Sequence, residues 1–205
     1  MKIVYNERYF HIQRNKSWGE SDHWDIGSTI KIGDRHNKLM KERYLTDYKM
    51  PTQIDLEKLH LDASVNPFYL RNIGIVYHEY IIKTREYIFE NERLLINPDL
   101  PSRFTCLFLT DIDGIEFWKQ RLLNNPDQQP YTIYEISVSG RIHKANQHYV
   151  ELNTRSQEYN HQSAREYWSG VDADKEGSEY LFVGDMLVKN REDFNVGREY
   201  KEIIR

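Results

Sequence analysis

Residues 76–94 constrain this chain more than any other stretch. Val76, Tyr80, Ile81, the Lys83-Thr84 pair, Tyr87, Ile88 and Phe89 recur at helical spacing. That spacing predicts one apolar stripe along a long amphipathic helix. Glu79, Lys83, Glu86, Glu90 and Arg93 are expected on the opposite face, solvated and locally ion-paired rather than gathered as metal ligands. A helix with one apolar stripe must lie on another layer. The chain supplies it at once. After the turn Asn97-Pro98-Asp99-Leu100-Pro101-Ser102-Arg103 comes Phe104-Thr105-Cys106-Leu107-Phe108-Leu109-Thr110, apolar enough for a central strand.

The remaining elements follow from alternation and punctuation. Residues 8–14 read as an aromatic-rich strand, and 27–33 as a short strand between glycines. Pro51 opens a short helix to His60. Asp113 caps a helix over 115–123, and residues 155–168 form a polar helix closed by Ser169-Gly170. Residues 131–138 are a strand, turned at Ser139-Gly140 into 141–144. Residues 177–188 are a strand, a tight turn at Gly184-Asp185 and a second strand, and 200–204 add an edge strand. Runs of strands with helices clustered between them predict an α+β fold rather than regular βαβ winding. The expectation is one domain over residues 1–205, with a poorly patterned insertion at about 34–75.

Composition removes several function classes. A single cysteine, Cys106, excludes a disulfide framework, suits a reducing cytoplasm and reads as a small core residue. Eight histidines show no helical ligand spacing and are expected on the surface, so no metal is expected. The net charge of -4 leaves no global footprint for nucleic acid. No apolar run approaches a membrane span, and the first residues lack the apolar core of a signal peptide, so the expected setting is cytoplasmic without membrane partners. No glycine-rich phosphate loop and no nucleophile elbow is present.

A sparser set carries chemistry. His11 and Arg14 sit on the first strand, Ser102-Arg103 at the start of a middle strand and Glu179 at the start of a late one. Each alone reads as an ordinary surface residue. Together they offer cationic donors for a diphosphate, a hydroxyl, and an acceptor for a ribose hydroxyl.

The ordered series Tyr9-Phe10-His11-Ile12-Gln13-Arg14, Trp18, Asp25-Ile26-Gly27 with Ile30, Ile32 and Gly33, Pro101 to Phe108, Ala164-Arg165-Glu166-Tyr167-Trp168-Ser169-Gly170 and Glu179 to Gly184 resembles a bacterial family of ADP-ribosyltransferase-like domains. The resemblance covers roughly residues 7–190. It implies a split, mixed β-sandwich with peripheral helices and an NAD cleft. It implies a mono-ADP-ribosyltransferase, a toxin of a toxin–antitoxin or phage-defence system. NAD would be the co-substrate, the acceptor RNA, DNA or protein, and an antitoxin the neutralising partner. Glu179 takes the catalytic position. His11 or Arg14 takes the first-strand position, and Ser102, or else Tyr134, the middle one. Arg14 or Arg103 would hold the diphosphate, and Tyr167 and Trp168 would wall the nicotinamide pocket. Arginine-modifying relatives carry an acidic or amide residue two positions before the catalytic Glu. Here that position is Gly177, which disfavours arginine as acceptor.

Overall fold

The computed structural model describes residues 1–15, 23–37, 40–41, 67–123, 130–151 and 156–194. The helix expected at 51–60, Trp18 and the edge strand expected at 200–204 lie outside them. Five strands are present among the described residues: β1 (Lys2–Arg14), β2 (Thr29–Ile32), β3 (Leu107–Leu109), β4 (Tyr131–Asn146) and β5 (Ser178–Phe194). The α-helices described from end to end are α1 (Pro67–Ile96), α2 (Ile115–Leu123) and α3 (Gln157–Trp168). No described helix is long and apolar enough to cross a membrane.

Every pairing among the described strands is antiparallel, in the order β1-β4-β5-β2, with β3 also on β5. β5 holds β4 along one edge and shares the other, giving residues 180–182 to β3 and 184–187 to β2. Just beyond β3, Thr110 exchanges both backbone hydrogen bonds with Phe10 of β1, at 2.8 and 2.9 Å. The strands β1-β4-β5-β3 therefore close on themselves.

This curl gives the wall an inside and an outside, and alternation assigns each residue to one. Tyr9, Leu107, Leu109, Tyr134, Ile136, Val138, Ile142, Phe182, Met186 and Val188 pack as one cluster with no helical member, which is the interior. On the outer face, Cys106, Ala145 and Leu181 meet Ile88 and Phe89 of α1 and Tyr167 and Trp168 of α3. A third cluster joins Phe10, Ile12 and Ile133 to Leu123 of α2. Cys106 is sealed in the second cluster, as a small core residue.

Two expected turns are not turns. β4 runs unbroken through Ser139-Gly140 and β5 through Gly184-Asp185. Gly140 and Gly184 are instead direct cross-strand partners. The long helix also sits differently from its apolar stripe. Ile82, Glu86, Phe89 and Arg93 are its buried line, while Tyr77, Tyr80 and Tyr87 are exposed. Glu86 is only 2% exposed, so the carboxylate expected in water is in the core. The stripe was read from hydrophobicity, and a charge can occupy a core position when an opposite charge meets it there.

Candidate functional site

The residue that meets Glu86 is Arg103, and the local chain explains why it points inward. The segment after α1 is fastened from below by Arg93, whose Nη1 donates to the carbonyls of Pro98 at 2.5 Å and Leu100 at 2.8 Å. Ser102 donates to Glu90 at 2.9 Å and accepts from the Phe104 amide at 3.1 Å. Asn37 donates to the carbonyls of Arg103 and Cys106 at 2.8 and 3.0 Å. From this fastened segment the side chain of residue 103 runs between the helices and the wall.

There Arg103 joins two carboxylates and a phenol. Its Nε donates to Glu86 Oε2 at 2.8 Å, and its Nη1 to Glu179 Oε1 at 2.9 Å and to the Tyr167 hydroxyl at 2.6 Å. Tyr167 in turn donates to the same Glu179 oxygen at 2.5 Å. Arg85 donates to Glu86 Oε1 at 2.7 Å. The guanidinium lies against the rings of Phe108 and Tyr167, 5.0 and 5.1 Å from their centroids. Burial alone would lower Arg103, but Glu86, Tyr167 and Glu179 outweigh it and hold the guanidinium charged, well above its ordinary value. Burial would raise Glu86, but the charges of Arg103 and then Arg85 hold it below the ordinary carboxylate value. Burial pushes the Tyr167 phenol well up, so it stays a donor.

Glu179 is 5% exposed, and both of its internal hydrogen bonds fall on Oε1. Oε2 accepts none among the described residues, and it is not one of the polar atoms sealed without a partner. One oxygen is anchored and the other has no hydrogen-bond partner among the described residues, in a side chain 7% exposed.

A second group lies inside the wall. His11 Nδ1 donates to the Phe108 carbonyl at 2.9 Å, which leaves Nε2 as the acceptor of a neutral ring. Burial holds His11 below its ordinary value, despite that bond. Its ring lies 5.2 Å from Trp24 and 6.5 Å from Tyr134. The Tyr134 hydroxyl accepts from the Trp24 amide at 3.2 Å and meets His23 Nδ1 at 3.3 Å.

Arg103, Tyr167 and Glu179 are thus brought together, with Trp168 beside Tyr167 at 4.9 Å between rings. His11 and Tyr134 are brought together separately. The two groups stand back to back across Phe108, whose carbonyl takes His11 and whose ring covers Arg103. Ser102 serves Glu90 instead of Glu179, and Arg14 is exposed at the end of β1. Arg103 spends Nε, Nη1 and Nη2 on protein acceptors, so a diphosphate would have to displace Glu86 or Glu179 to reach it. Glu86, Trp24 and His23 were not singled out from the sequence. The one available signal for Glu86 was its spacing from Ile82 and Phe89, which places it on their face.

His143 is another histidine expected at the surface that is not there. It is 5% exposed, tilted against Trp168 with ring centroids 5.6 Å apart, and its Nε2 is sealed without a partner. Burial pushes it down to about 4 from an ordinary 6.5. A base whose folded value is depressed contributes stability above the unfolded value and loses it as pH falls through the folded one. The window is therefore pH 6.5 to about 4, and the loss by its lower end is roughly 3 kcal/mol. Urea unfolding at intervals across this window should show the decline, and His143→Phe should remove that share of it. An unchanged slope in the variant would assign the decline elsewhere.

No group of described His, Cys, Asp and Glu residues is placed to hold a metal ion. The fold and site define an α+β protein whose curled antiparallel sheet carries a buried guanidinium–carboxylate–phenol network under its helices. Over residues 9–195 the chain matches the family described as "Protein of unknown function (DUF2441)", and it belongs to that family. A comparison with curated proteins finds no match.

Proposed function

We propose that the protein is a mono-ADP-ribosyltransferase that uses NAD as co-substrate, on a curled antiparallel sheet rather than two split sheets. The observation that carries the reading is the state of Glu179, a carboxylate at the start of β5 with Oε1 clamped and Oε2 without a hydrogen-bond partner among the described residues. Transfer breaks the bond between the nicotinamide nitrogen and ribose C1′. The electron pair leaves with nicotinamide, and the sugar passes through an oxocarbenium-like state. An acceptor oxygen or nitrogen then bonds to C1′ and loses its proton. Glu179 Oε2, accepting from the ribose 2′-hydroxyl, stabilises the growing positive charge. Glu179 takes the nicotinamide ribose; His11 lies on the other face of the wall, behind Phe108, and takes no part in that contact. The acceptor is nucleic acid or protein. In the cell the protein acts as a toxin or phage-defence effector, held in check by an antitoxin.

A second reading, a non-catalytic module for a nucleotide or protein partner, is favoured by the deep burial of Glu179. One experiment separates them. Wild type and Glu179→Gln are incubated with labelled NAD and lysate, and RNA, DNA and protein are recovered separately. Transfer by wild type, reduced about 100- to 1000-fold in the variant, supports the enzyme. Equal labelling by the two removes Glu179 from catalysis. No labelling and no nicotinamide release by folded wild type favours the module.

A further inference from the structure

Glu86, Arg103, Tyr167 and Glu179 form a connected polar network among apolar neighbours. A network of this kind seldom adds stability over an apolar packing of the same volume, because desolvation of the charges offsets their attraction. Its hydrogen bonds nevertheless do one thing an apolar core cannot. Two donors of different kinds, Arg103 Nη1 and the Tyr167 hydroxyl, converge on the single oxygen Oε1 of Glu179. The same Nη1 also donates to the Tyr167 oxygen, which polarises the phenol toward the carboxylate. Convergence on one oxygen fixes the rotation of the carboxylate about its terminal bond.

The donors are themselves fixed. Glu86 takes Arg103 Nε at 2.8 Å and Nη2 at 3.5 Å, which sets the plane of the guanidinium. Arg85 holds Glu86 from behind at 2.7 Å and is itself tied to the Val150 carbonyl at 2.7 Å. The Tyr167 ring is wedged between Phe89 and Trp168, at 5.3 and 4.9 Å. It sits in the last turn of α3, which Ser169 closes and after which Gly170 reverses the chain with φ 72°. Trp168, donating to the Phe89 carbonyl at 2.6 Å, pins that turn to α1. The order of the whole assembly ends at one atom, Oε2.

We propose that Glu86, Arg103 and Tyr167 are positioning residues that preset Glu179 so that Oε2 alone meets the ribose 2′-hydroxyl. The proposal rests on the ADP-ribosyltransferase reading. A carboxylate locked before substrate arrives needs no reorganisation as charge develops, so the contribution appears in kcat and not in substrate affinity.

The test uses the full chain, NAD, and NAD lacking the 2′-hydroxyl on its nicotinamide ribose. Wild type, Tyr167→Phe and Glu86→Gln are compared for kcat and KM with each substrate, and nicotinamide release is the readout. Tyr167→Phe removes one hydrogen bond to a charged group and should lower kcat with NAD about 10- to 100-fold, with KM within about twofold. With the deoxy substrate the same substitution should cost less than about threefold, because the contact it orients is absent. This non-additivity is the signature of action through the 2′-hydroxyl contact, and intrinsic lability of the deoxy bond cancels in the comparison. Glu86→Gln should follow the same pattern through Arg103, and it keeps the proposal testable if Tyr167→Phe fails to fold. Equal losses on both substrates, or a loss confined to KM, overturns the clamp while leaving the enzyme reading in place. If folded wild type releases no nicotinamide, the enzyme reading falls and the clamp falls with it.

Discussion

Arg103→Met lowers stability by about 3–5 kcal/mol, the usual result of removing one partner from a buried ion pair. For 205 residues this corresponds to roughly 6–20 °C in Tm. Methionine fills much of the same space between Phe108 and Tyr167, so lost packing is a minor part. The cost comes from Glu86 and Glu179, which keep their burial and lose the cation between them. Two further measurements identify that cause. Glu86 keeps Arg85 at 2.7 Å, so Glu179 is the charge left without a cation among the described residues; adding Glu179→Gln to Arg103→Met should recover part of the loss, whereas independent effects would add. Acid supplies the other. In wild type the Glu86 carboxyl is held below its ordinary 4.5, so its contribution is present above that pH and is lost as pH falls through the folded value. In the variant the loss of Arg103 raises Glu86, which then takes up its proton before the wild-type carboxyl does, so the stability gap between the two proteins should narrow as pH falls toward the depressed wild-type value. A gap that stays constant, with no recovery in the double variant, would mean that packing and not charge holds Arg103 in place.

The same residues show how far the sequence could be read. Arg103 and Glu179 are legible as charged residues at strand starts, each ordinary alone, and Tyr167 enters only through the resemblance to ADP-ribosyltransferase-like domains. Glu86 is not legible, because hydrophobic periodicity scores a carboxylate as solvated wherever it falls. Only the fold reveals that Arg103, 17 positions along the chain, turns back onto the same helix face. His11 and Glu179 were legible as strand residues, but the face each would take was not. That depends on β3 sitting between them, paired to β5 and bridged to β1 through Thr110, and a three-residue strand leaves little alternation to read. Both expected turn positions, Ser139-Gly140 and Gly184-Asp185, carry dipeptides that signal a turn locally. Their real role is a long-range pairing that neither segment displays alone.

Gly184→Ala should test that pairing with the other large effect. β5 passes from β3 to β2 at this residue, and β4 follows the same bend at Gly140. Both glycines have positive φ, 141° at Gly184 and 156° at Gly140, where side chains are rarely accommodated. A Cβ on Gly184 would press into the Ser139 carbonyl oxygen and come 2.8 Å from the Gly140 Cα. Both obstacles are backbone and cannot swing away. Phe182 already fills the space a side chain would use, with a ring atom 3.2 Å from the Cβ position of each glycine. The two strands approach closely because neither partner has a side chain, and the Phe182 ring covers the exposed backbone in its place. The expected loss is about 3 kcal/mol from strain and overpacking combined, roughly 6–12 °C in Tm. Gly74→Ala is the matched control. It lies in α1 with nothing within 4 Å of its Cβ position, and should leave Tm unchanged or raise it slightly. If the two substitutions behave alike, the Gly140–Gly184 contact does not govern the bend. If they diverge, the curl that sets His11 inside the wall and Glu179 outside it depends on two missing side chains.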